Sequence, residues 1–226
     1  MKTPMKGKII SASILAADFS RLGEEVEHVL KAGVDFIHFD VMDHHFVPNL
    51  SFGAVVCQSL RKRGITAPID VHLMVENPQD FIEPFAEAGA NLITFHPETV
   101  SDFEETLGRI REAGMKAGVA FNPDKSMPLS PAWLRQVDLI LLMSVYPGFA
   151  GQAFIPESLE KIAMVRKQLD EWGSEVWLGV DGGIKTANMA DVSRAGANFF
   201  VVGSGLFQAP NYEKEIKQMR QRLGLR

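Results

Sequence analysis

One local pattern recurs along the chain: a helix that ends in Ala-Gly and is followed at once by an apolar segment. The glycines of its four copies are Gly33, Gly89, Gly114 and Gly196. Glycine at this place is a common helix stop. Gly33 and Gly89 are 56 residues apart, or two units of 28, and eight such units fill the 226 residues. Strands and helices that alternate at this spacing predict a parallel β-sheet covered by helices.

Eight strand–helix units predict a (β/α)₈ TIM barrel, an α/β fold, more readily than an open doubly wound sheet. The open sheet is disfavoured because no G-x-G-x-x-G motif follows the first strand. The sequence contains no linker or low-complexity stretch, so we expect one domain over residues 1–226. The predicted strands cover residues 9–15, 36–43, 69–74, 91–96, 116–122, 138–145, 175–181 and 198–203. The predicted helices cover residues 21–31, 52–63, 77–88, 102–113, a short stretch near 132, 156–172, 185–195 and 211–223.

Composition narrows the class of protein. The chain is 46% hydrophobic with a net charge of −5, which argues against a general nucleic-acid surface. No apolar run approaches the roughly 18 residues of a membrane span, and residues 1–8 do not have the pattern of a signal peptide. The single cysteine, Cys57, excludes a disulfide framework. We therefore expect a cytoplasmic protein with no membrane or nucleic-acid partner.

The second predicted strand carries unusual side chains on one face. Successive residues of a strand point to opposite faces, so His38, Asp40 and Met42 share one face, while positions 37, 39 and 41 are all apolar. A carboxylate inside a fold is costly unless it is paired or binds a metal. This strand is therefore the first candidate for a functional site.

Two further strands add the same kinds of side chain. The third strand carries His72 and the seventh ends on Asp181. The carboxyl ends of barrel strands meet at one face, where barrel enzymes have their active sites. Two imidazoles and two carboxylates there suit Zn²⁺, Fe²⁺, Mn²⁺ or Co²⁺, and the two aspartates also form a possible acid/base pair. The alternative for any single histidine is a structural hydrogen bond, which we prefer for His28.

Other residues near the strand ends complete the predicted site. We expect His45 to line it and His44 to face solvent. Glycine-containing stretches at residues 147–152, 181–183 and 203–205 follow strands six to eight, and late loops of this kind commonly bind phosphate in barrels. Further polar groups near strand ends are Ser13, His96 with Glu98, Asn122 and Ser144. Met42, Met74 and Met143 also lie near strand ends and predict a soft apolar floor under a bound ligand.

Several motifs in order along the chain resemble one enzyme family. They are SASIL (11–15), ADF (17–19), HFDVMD (38–43), HFVPN (45–49), DVHLM (70–74), HPE (96–98), PGF (147–149), VDGG (180–183) and GS (203–204). From about residue 10 to the last helix, the chain closely resembles the ribulose-phosphate 3-epimerases. This family interconverts D-ribulose 5-phosphate and D-xylulose 5-phosphate in the pentose phosphate pathway.

The resemblance implies a role for each matching residue. His38, Asp40, His72 and Asp181 would bind one divalent metal, often zinc or iron. Asp40 and Asp181 would transfer protons at C3 through an enediolate, and Ser13 and His72 would contact substrate. Relatives are often homo-oligomers. The groups expected to hold the sugar phosphate are Gly148, Phe149, Ala150, Gly151, Gly182, Gly183, Gly203 and Ser204.

Three alternatives remain open at this point. Ala150 stands where these epimerases more often have glycine, and related D-allulose-6-phosphate 3-epimerases also carry alanine there, so a hexose phosphate is the nearest alternative substrate. Tyr146 and Gly179 also depart from the usual residues, Asn and Glu. A barrel lyase or decarboxylase would often place a lysine at a strand end, but Lys116 begins its strand. A non-catalytic barrel is disfavoured because both Asp40 and Asp181 are present.

Overall fold

The computed structural model describes residues 7–127 and 129–225, which form one closed barrel of eight parallel strands. Each strand pairs with its neighbours in the sequence, and the eighth closes the barrel against the first. The (β/α)₈ prediction is therefore confirmed. The strands are β1 Ile9–Ser13, β2 Phe36–Met42, β3 Ile69–Met74, β4 Leu92–Phe95, β5 Lys116–Phe121, β6 Leu139–Met143, β7 Trp177–Asp181 and β8 Phe199–Val202.

Helices follow the strands and cover the outside of the barrel. Across the described ranges, none is both long enough and apolar enough to cross a membrane. The predicted single domain includes residues 1–6, 128 and 226, which lie outside the described residues. The helices are α1 Leu22–Ala32, α2 Ala54–Lys62, α3 Gln79–Glu87, α4 Phe103–Glu112, α5 Pro131–Leu134, α6 Ser158–Glu171, α7 Met189–Ala195, α8 Ser204–Phe207 and α9 Tyr212–Arg222.

Helix ends follow local sequence signals. Gly33 and Gly196 end α1 and α7 in the left-handed conformation, at φ of 106° and 119°, as the recurring Ala-Gly pattern predicts. The Asp102 side chain accepts the Glu105 N–H at 2.9 Å and caps the start of α4. Residues of this kind begin and end the helices, so that the chain returns to the barrel wall after each helix.

Several element boundaries differ from the predicted ones. β1 ends at Ser13, where a 3₁₀ turn over Ile14–Ala16 follows, so the predicted strand was two residues too long. The short helix α8 begins directly after Gly203 and was not predicted, because four residues are too few to show a helical period. Both features lie where the chain leaves a strand for the active face.

The two faces of the strands have different environments. Ile37, Phe39 and Val41 of β2 pack with the helices in the large outer core, which confirms the predicted apolar face. Inside the barrel, the rings of Phe36, Trp177 and Phe199 contact one another edge-on or tilted at the amino ends of their strands. Aromatic side chains therefore fill the barrel at that end, and the polar interior side chains lie towards the carboxyl ends.

Cys57 is expected to be chemically inert in the folded protein. It lies fully buried in α2, and burial raises the pKa of its thiol to about 11. Because the thiolate is the reactive form, labelling with Ellman's reagent at pH 8 should be at least about 100-fold slower in native protein than in guanidinium chloride. Complete labelling of native protein within minutes would contradict this burial.

Candidate active site

The register of β2 and β3 places four polar side chains side by side. His38 pairs with Asp70, and Asp40 pairs with His72, along two neighbouring parallel strands. All four side chains are buried. Because residues two apart on a strand share a face, this register makes a compact square of two histidines and two aspartates inside the barrel.

Asp181, the last residue of β7, joins this group from another part of the barrel wall. His38 Nε2 lies 3.3 Å from Asp40 Oδ1 and 3.8 Å from Asp181 Oδ2. His72 Nδ1 lies 3.4 Å from Asp40 Oδ1 and 3.7 Å from Asp181 Oδ2. One nitrogen or oxygen atom from each of four residues therefore lies within 4.8 Å of the others; these residues are His38, Asp40, His72 and Asp181. The structure brings together the four predicted metal ligands.

Hydrogen bonds from outside the group orient two of its members. His38 Nδ1 lies 2.7 Å from Asp70 Oδ1, and the Ser11 hydroxyl donates to the other Asp70 oxygen at 3.2 Å. The Ser13 hydroxyl donates to Asp40 Oδ2 at 2.6 Å. Asp70 therefore turns Nε2 of His38 towards Asp40 and Asp181, and Ser13 leaves the second oxygen of Asp40 facing the histidines.

His72 is oriented by another histidine. His72 Nε2 lies 2.9 Å from His96 Nε2, and both rings are fully buried. His72 Nδ1, which faces the two carboxylates, has no hydrogen-bond partner among the described residues. An imidazole nitrogen buried without a partner is costly, which indicates that this atom faces a ligand position.

The charged states of these groups depend on one another. Burial opposes a charge on His38, but the nearby Asp70 and Asp40 carboxylates outweigh it and raise the pKa of His38 well above its ordinary value. Burial likewise opposes a charge on Asp40, yet the His38 and His72 imidazoles lower the pKa of Asp40. Burial and the neighbouring His72 both lower the pKa of His96, so His96 stays neutral. Asp40 is therefore held ionised.

A divalent cation fits this donor set. The side chains supply two imidazole nitrogens and two carboxylate oxygens, a combination suited to zinc and to several other first-row metals. The unpartnered Nδ1 of His72 faces the group, and Asp70 supports His38 as outer carboxylates commonly support metal-binding histidines. The arrangement could hold one metal ion.

A cavity opens directly above the group at the carboxyl ends of the strands. Ser13, Asp40 and Asp181 line this cavity, and the predicted Met42, Met74 and Met143 line it with them. The late loops line its walls, and no Lys or Arg belongs to the lining within the described part of the chain. The lining includes Gly148, Phe149, Ala150, Gly151, Gly182, Gly183, Gly203 and Ser204.

Two of these glycines are required by close backbone approach. A Cβ on Gly182 would lie 2.5 Å from the Val145 side chain, and one on Gly183 would lie 2.4 Å from the Phe154 backbone nitrogen. Both residues also have positive φ, of 114° and 64°. Ser144 fixes this turn, since its hydroxyl donates to the carbonyls of Asp181 and Gly182. The predicted polar role of Ser144 is thus to support the backbone.

The backbone at Ala150 is not strained, although alanine adopts a positive φ less readily than the glycine that is more usual there. Among the described non-glycine residues, only His44 has a positive φ, of 63°. Alanine at position 150 therefore takes an ordinary backbone conformation, while Gly148 and Gly151 on either side supply the positive φ values of 128° and 79°.

His45 does not lie where the sequence predicts it. The side chain of His45 is 69% exposed, and its Nδ1 lies 2.8 Å from the Asp43 carbonyl of the same loop. The Asp43 carboxylate accepts the backbone N–H groups of His45, Phe46 and Glu76 and so turns this loop outward. The prediction that His45 lines the site is therefore wrong, whereas His44 is exposed as predicted.

Sequence reasoning also missed two supporting residues. Asp70 was not singled out, although the two-residue alternation places it on the same face as His72. His96 was noted only as a polar residue at a strand end, and its contact with His72 was not foreseen. For Asp70 the signal was available, while for His96 it depends on how the chain turns after β4.

The fold and the site together define a class: a (β/α)₈ barrel with a buried His₂Asp₂ centre beneath a glycine-lined cavity. The model of the ribulose-phosphate 3 epimerase family matches residues 9–207. The chain belongs to the ribulose-phosphate 3-epimerase family, and it is therefore an isomerase of the epimerase type.

Individual relatives agree with this assignment. A curated ribulose-phosphate 3-epimerase of Escherichia coli K12 is 51% identical over 219 residues, which is 97% of each chain. One from Buchnera aphidicola is 53% identical over 95% of this chain and 94% of its own. Among solved structures, KGPDC from Streptococcus mutans superposes with a TM-score of 0.71 at 14% identity, covering 97% of this chain and 98% of that one. That likeness supports the barrel fold alone.

Proposed function

We propose that this chain interconverts D-ribulose 5-phosphate and D-xylulose 5-phosphate, with one divalent metal and two carboxylates acting at C3. The two relatives described above are named ribulose-phosphate 3-epimerases. The observation that carries the proposal is the group formed by the buried His38, Asp40 and His72 with the partly buried Asp181, whose ligand atoms lie within 4.8 Å of one another. The group lies beneath the cavity where a sugar phosphate would bind.

The metal would be held by Nε2 of His38, Nδ1 of His72 and one oxygen from each of Asp40 and Asp181. Such a cation supplies Lewis-acid stabilisation of the negative charge that develops when the C3 proton leaves. Zn²⁺ is the first candidate, and Fe²⁺, Mn²⁺ or Co²⁺ would suit the same donors. A metal is also needed on electrostatic grounds, because a phosphate dianion would otherwise approach two carboxylates with no lysine or arginine among the described lining residues.

Inversion at C3 requires one group that removes the proton and another that returns a proton on the opposite face of the carbon. Asp40 and Asp181 suit this pair, because they come from β2 and β7, on separate parts of the barrel wall, and both line the cavity. The lowered pKa of Asp40 keeps this carboxylate in the ionised form that a general base requires. Positioned acid/base groups typically contribute about 10²–10⁴-fold each.

The remaining polar groups orient the sugar phosphate. Ser13, which lines the cavity, would contact the substrate next to the carboxylates. The same role is proposed for His72, although its ring is fully buried and lies outside the cavity lining among the described residues. The phosphate would bind backbone N–H groups of the glycine-containing segments, which can approach an anion closely. The segments in question are residues 148–151, Gly182 with Gly183, and Gly203 with Ser204. Binding of this remote group would supply energy for orientation at C3.

The test is a coupled assay of metal-loaded protein on D-ribulose 5-phosphate and D-allulose 6-phosphate side by side. We expect a strong preference for the pentose phosphate that is lost with a chelator and restored by added metal. A preference for the hexose phosphate would retain the chemistry and move the substrate to the alternative that Ala150 suggests. Absence of activity on both substrates, with metal bound, would contradict the proposal.

Asn49 is expected to hold the loop at residues 147–152 over the cavity. Its side-chain amide donates to the Gly148 carbonyl at 2.7 Å and joins the loops after β2 and β6. Asn49→Ala removes this bond, which is worth about 0.5–1.5 kcal/mol, so KM should rise by about 2- to 10-fold with little change in kcat. An unchanged KM in steady-state kinetics would show that the loop does not depend on this contact.

A further inference from the structure

His96 is buried beside the proposed metal centre, and the proposed chemistry does not use it. It follows β4 directly, and its carbonyl accepts both the backbone N–H and the hydroxyl of Thr99, at 3.0 and 2.7 Å. Phe46 covers the ring, with 4.8 Å between ring centroids. The position of His96 is therefore fixed by its own turn and by Phe46.

The hydrogen bond between His72 and His96 has only two possible directions. A neutral imidazole carries one proton, on either Nδ1 or Nε2. The two Nε2 atoms are 2.9 Å apart, so one must donate and the other must accept. If His96 donates, His72 accepts at Nε2 and carries its proton on Nδ1, where it would face a metal. If His72 donates, its Nδ1 lone pair is free for the metal.

We propose that His96 is a positioning residue that accepts the His72 Nε2 proton and thereby holds His72 in its metal-binding tautomer. His96 itself then carries a proton on Nδ1. That atom has no hydrogen-bond partner among the described residues, and the Glu98 carboxylate lies 3.9 Å from it. Asn122 holds Glu98 through a hydrogen bond of 3.2 Å. The proposal thus places one proton on Nε2 of His72 and one on Nδ1 of His96, and the second faces Glu98 across a distance longer than a hydrogen bond.

The two metal-facing histidines are supported in different ways. His38 presents Nε2 to the centre and contacts the Asp70 carboxylate through Nδ1, whereas His72 presents Nδ1 and contacts a second imidazole through Nε2. A carboxylate can only accept a hydrogen bond, so it sets the tautomer of His38 outright. An imidazole can accept or donate, so at His72 the tautomer depends on His96. This dependence is why His96 matters for metal binding.

Two variants separate a positioning role from a packing role. His96→Phe keeps an aromatic ring against Phe46 but removes the atom that accepts the His72 hydrogen bond. His96→Gln loses the ring but keeps an acceptor oxygen within reach of His72 Nε2. The measured quantity is the Kd for Zn²⁺ of the metal-free protein, by competition with a chromophoric chelator. We expect His96→Phe to bind about 10- to 100-fold more weakly than the parent and His96→Gln to bind within a few-fold of it. The reverse order would overturn the proposal, because a packing role favours phenylalanine.

A direct measurement covers the case in which a variant does not fold. Long-range ¹H–¹⁵N NMR spectra of the zinc-loaded parent protein distinguish the tautomers of its histidines. We expect His72 to be protonated at Nε2 and His96 at Nδ1. A His96 ring protonated at Nε2 would overturn the proposal. The inference rests on the proposed metal site, and failure of that site is recognised separately, since the parent protein would then bind no stoichiometric metal.

Discussion

Asp40→Asn and Asp181→Asn are each expected to lower kcat for epimerisation of D-ribulose 5-phosphate by about 10³-fold or more, within the range that positioned acid/base groups provide. The asparagine amide has nearly the volume of the aspartate carboxylate but cannot act as a general acid or base near neutral pH. Each variant removes one of the two groups that the inversion needs, so the loss should appear in kcat. Steady-state kinetics in both directions would measure it.

The matched control is Asp35→Asn. Asp35 lies next to the amino end of β2, at the opposite end of the same strand from Asp40, and its carboxylate accepts the Ile10 backbone N–H at 2.9 Å. This variant should keep near-parent activity. Metal content and the thermal transition of all three variants show whether any loss comes from metal release or unfolding. Activity within tenfold of the parent in Asp40→Asn or Asp181→Asn would contradict the two-carboxylate proposal.

Metal affinity is expected to rise with pH. The Asp70 and Asp40 carboxylates raise the pKa of His38 well above its ordinary value, so at neutral pH a metal must displace a proton from this imidazole. Each displaced proton weakens binding about tenfold for each pH unit below the His38 pKa. The dissociation constant should therefore be about tenfold or more higher at pH 6.5 than at pH 7.5 and should level off above the His38 pKa.

Chelation provides the companion measurement. Removal of the metal should abolish epimerisation, and Zn²⁺, Fe²⁺, Mn²⁺ or Co²⁺ added back singly should restore it, with the restored rate showing which metal serves best. Titration by competition with a chromophoric chelator gives the pH dependence directly. A dissociation constant that does not change between pH 6.5 and 7.5 would show that His38 is not a proton-coupled ligand.

The barrel and the grouping of the four candidate metal ligands could be predicted because both depend on short-range periodicity. The Ala-Gly helix ends mark the repeat, and alternation in β2 places His38 and Asp40 on one interior face. Once the strands are parallel and consecutive, the ends of β2, β3 and β7 must open on the same face, which brings His72 and Asp181 to Asp40. These conclusions require no knowledge of loop conformation.

The parts that could not be predicted depend on loops and on contacts between turns. His45 points outward because the Asp43 carboxylate accepts hydrogen bonds from the backbone of its loop. A loop has no periodic pattern from which these contacts could be predicted. The approach of His96 to His72 depends on the turn that begins after β4. Spacing within a strand is regular, whereas the direction of a turn depends on its hydrogen bonds.

The most direct test of the two-carboxylate account is hydrogen exchange at C3 in D₂O, followed by NMR of the sugar phosphates. The parent protein should place solvent deuterium at C3 of the epimer it forms. Asp40→Asn and Asp181→Asn should each exchange the C3 hydrogen of only one epimer, without inversion, and the two variants should act on opposite epimers. Exchange of the same epimer by both variants, or a parent product that retains the original C3 hydrogen, would contradict the account.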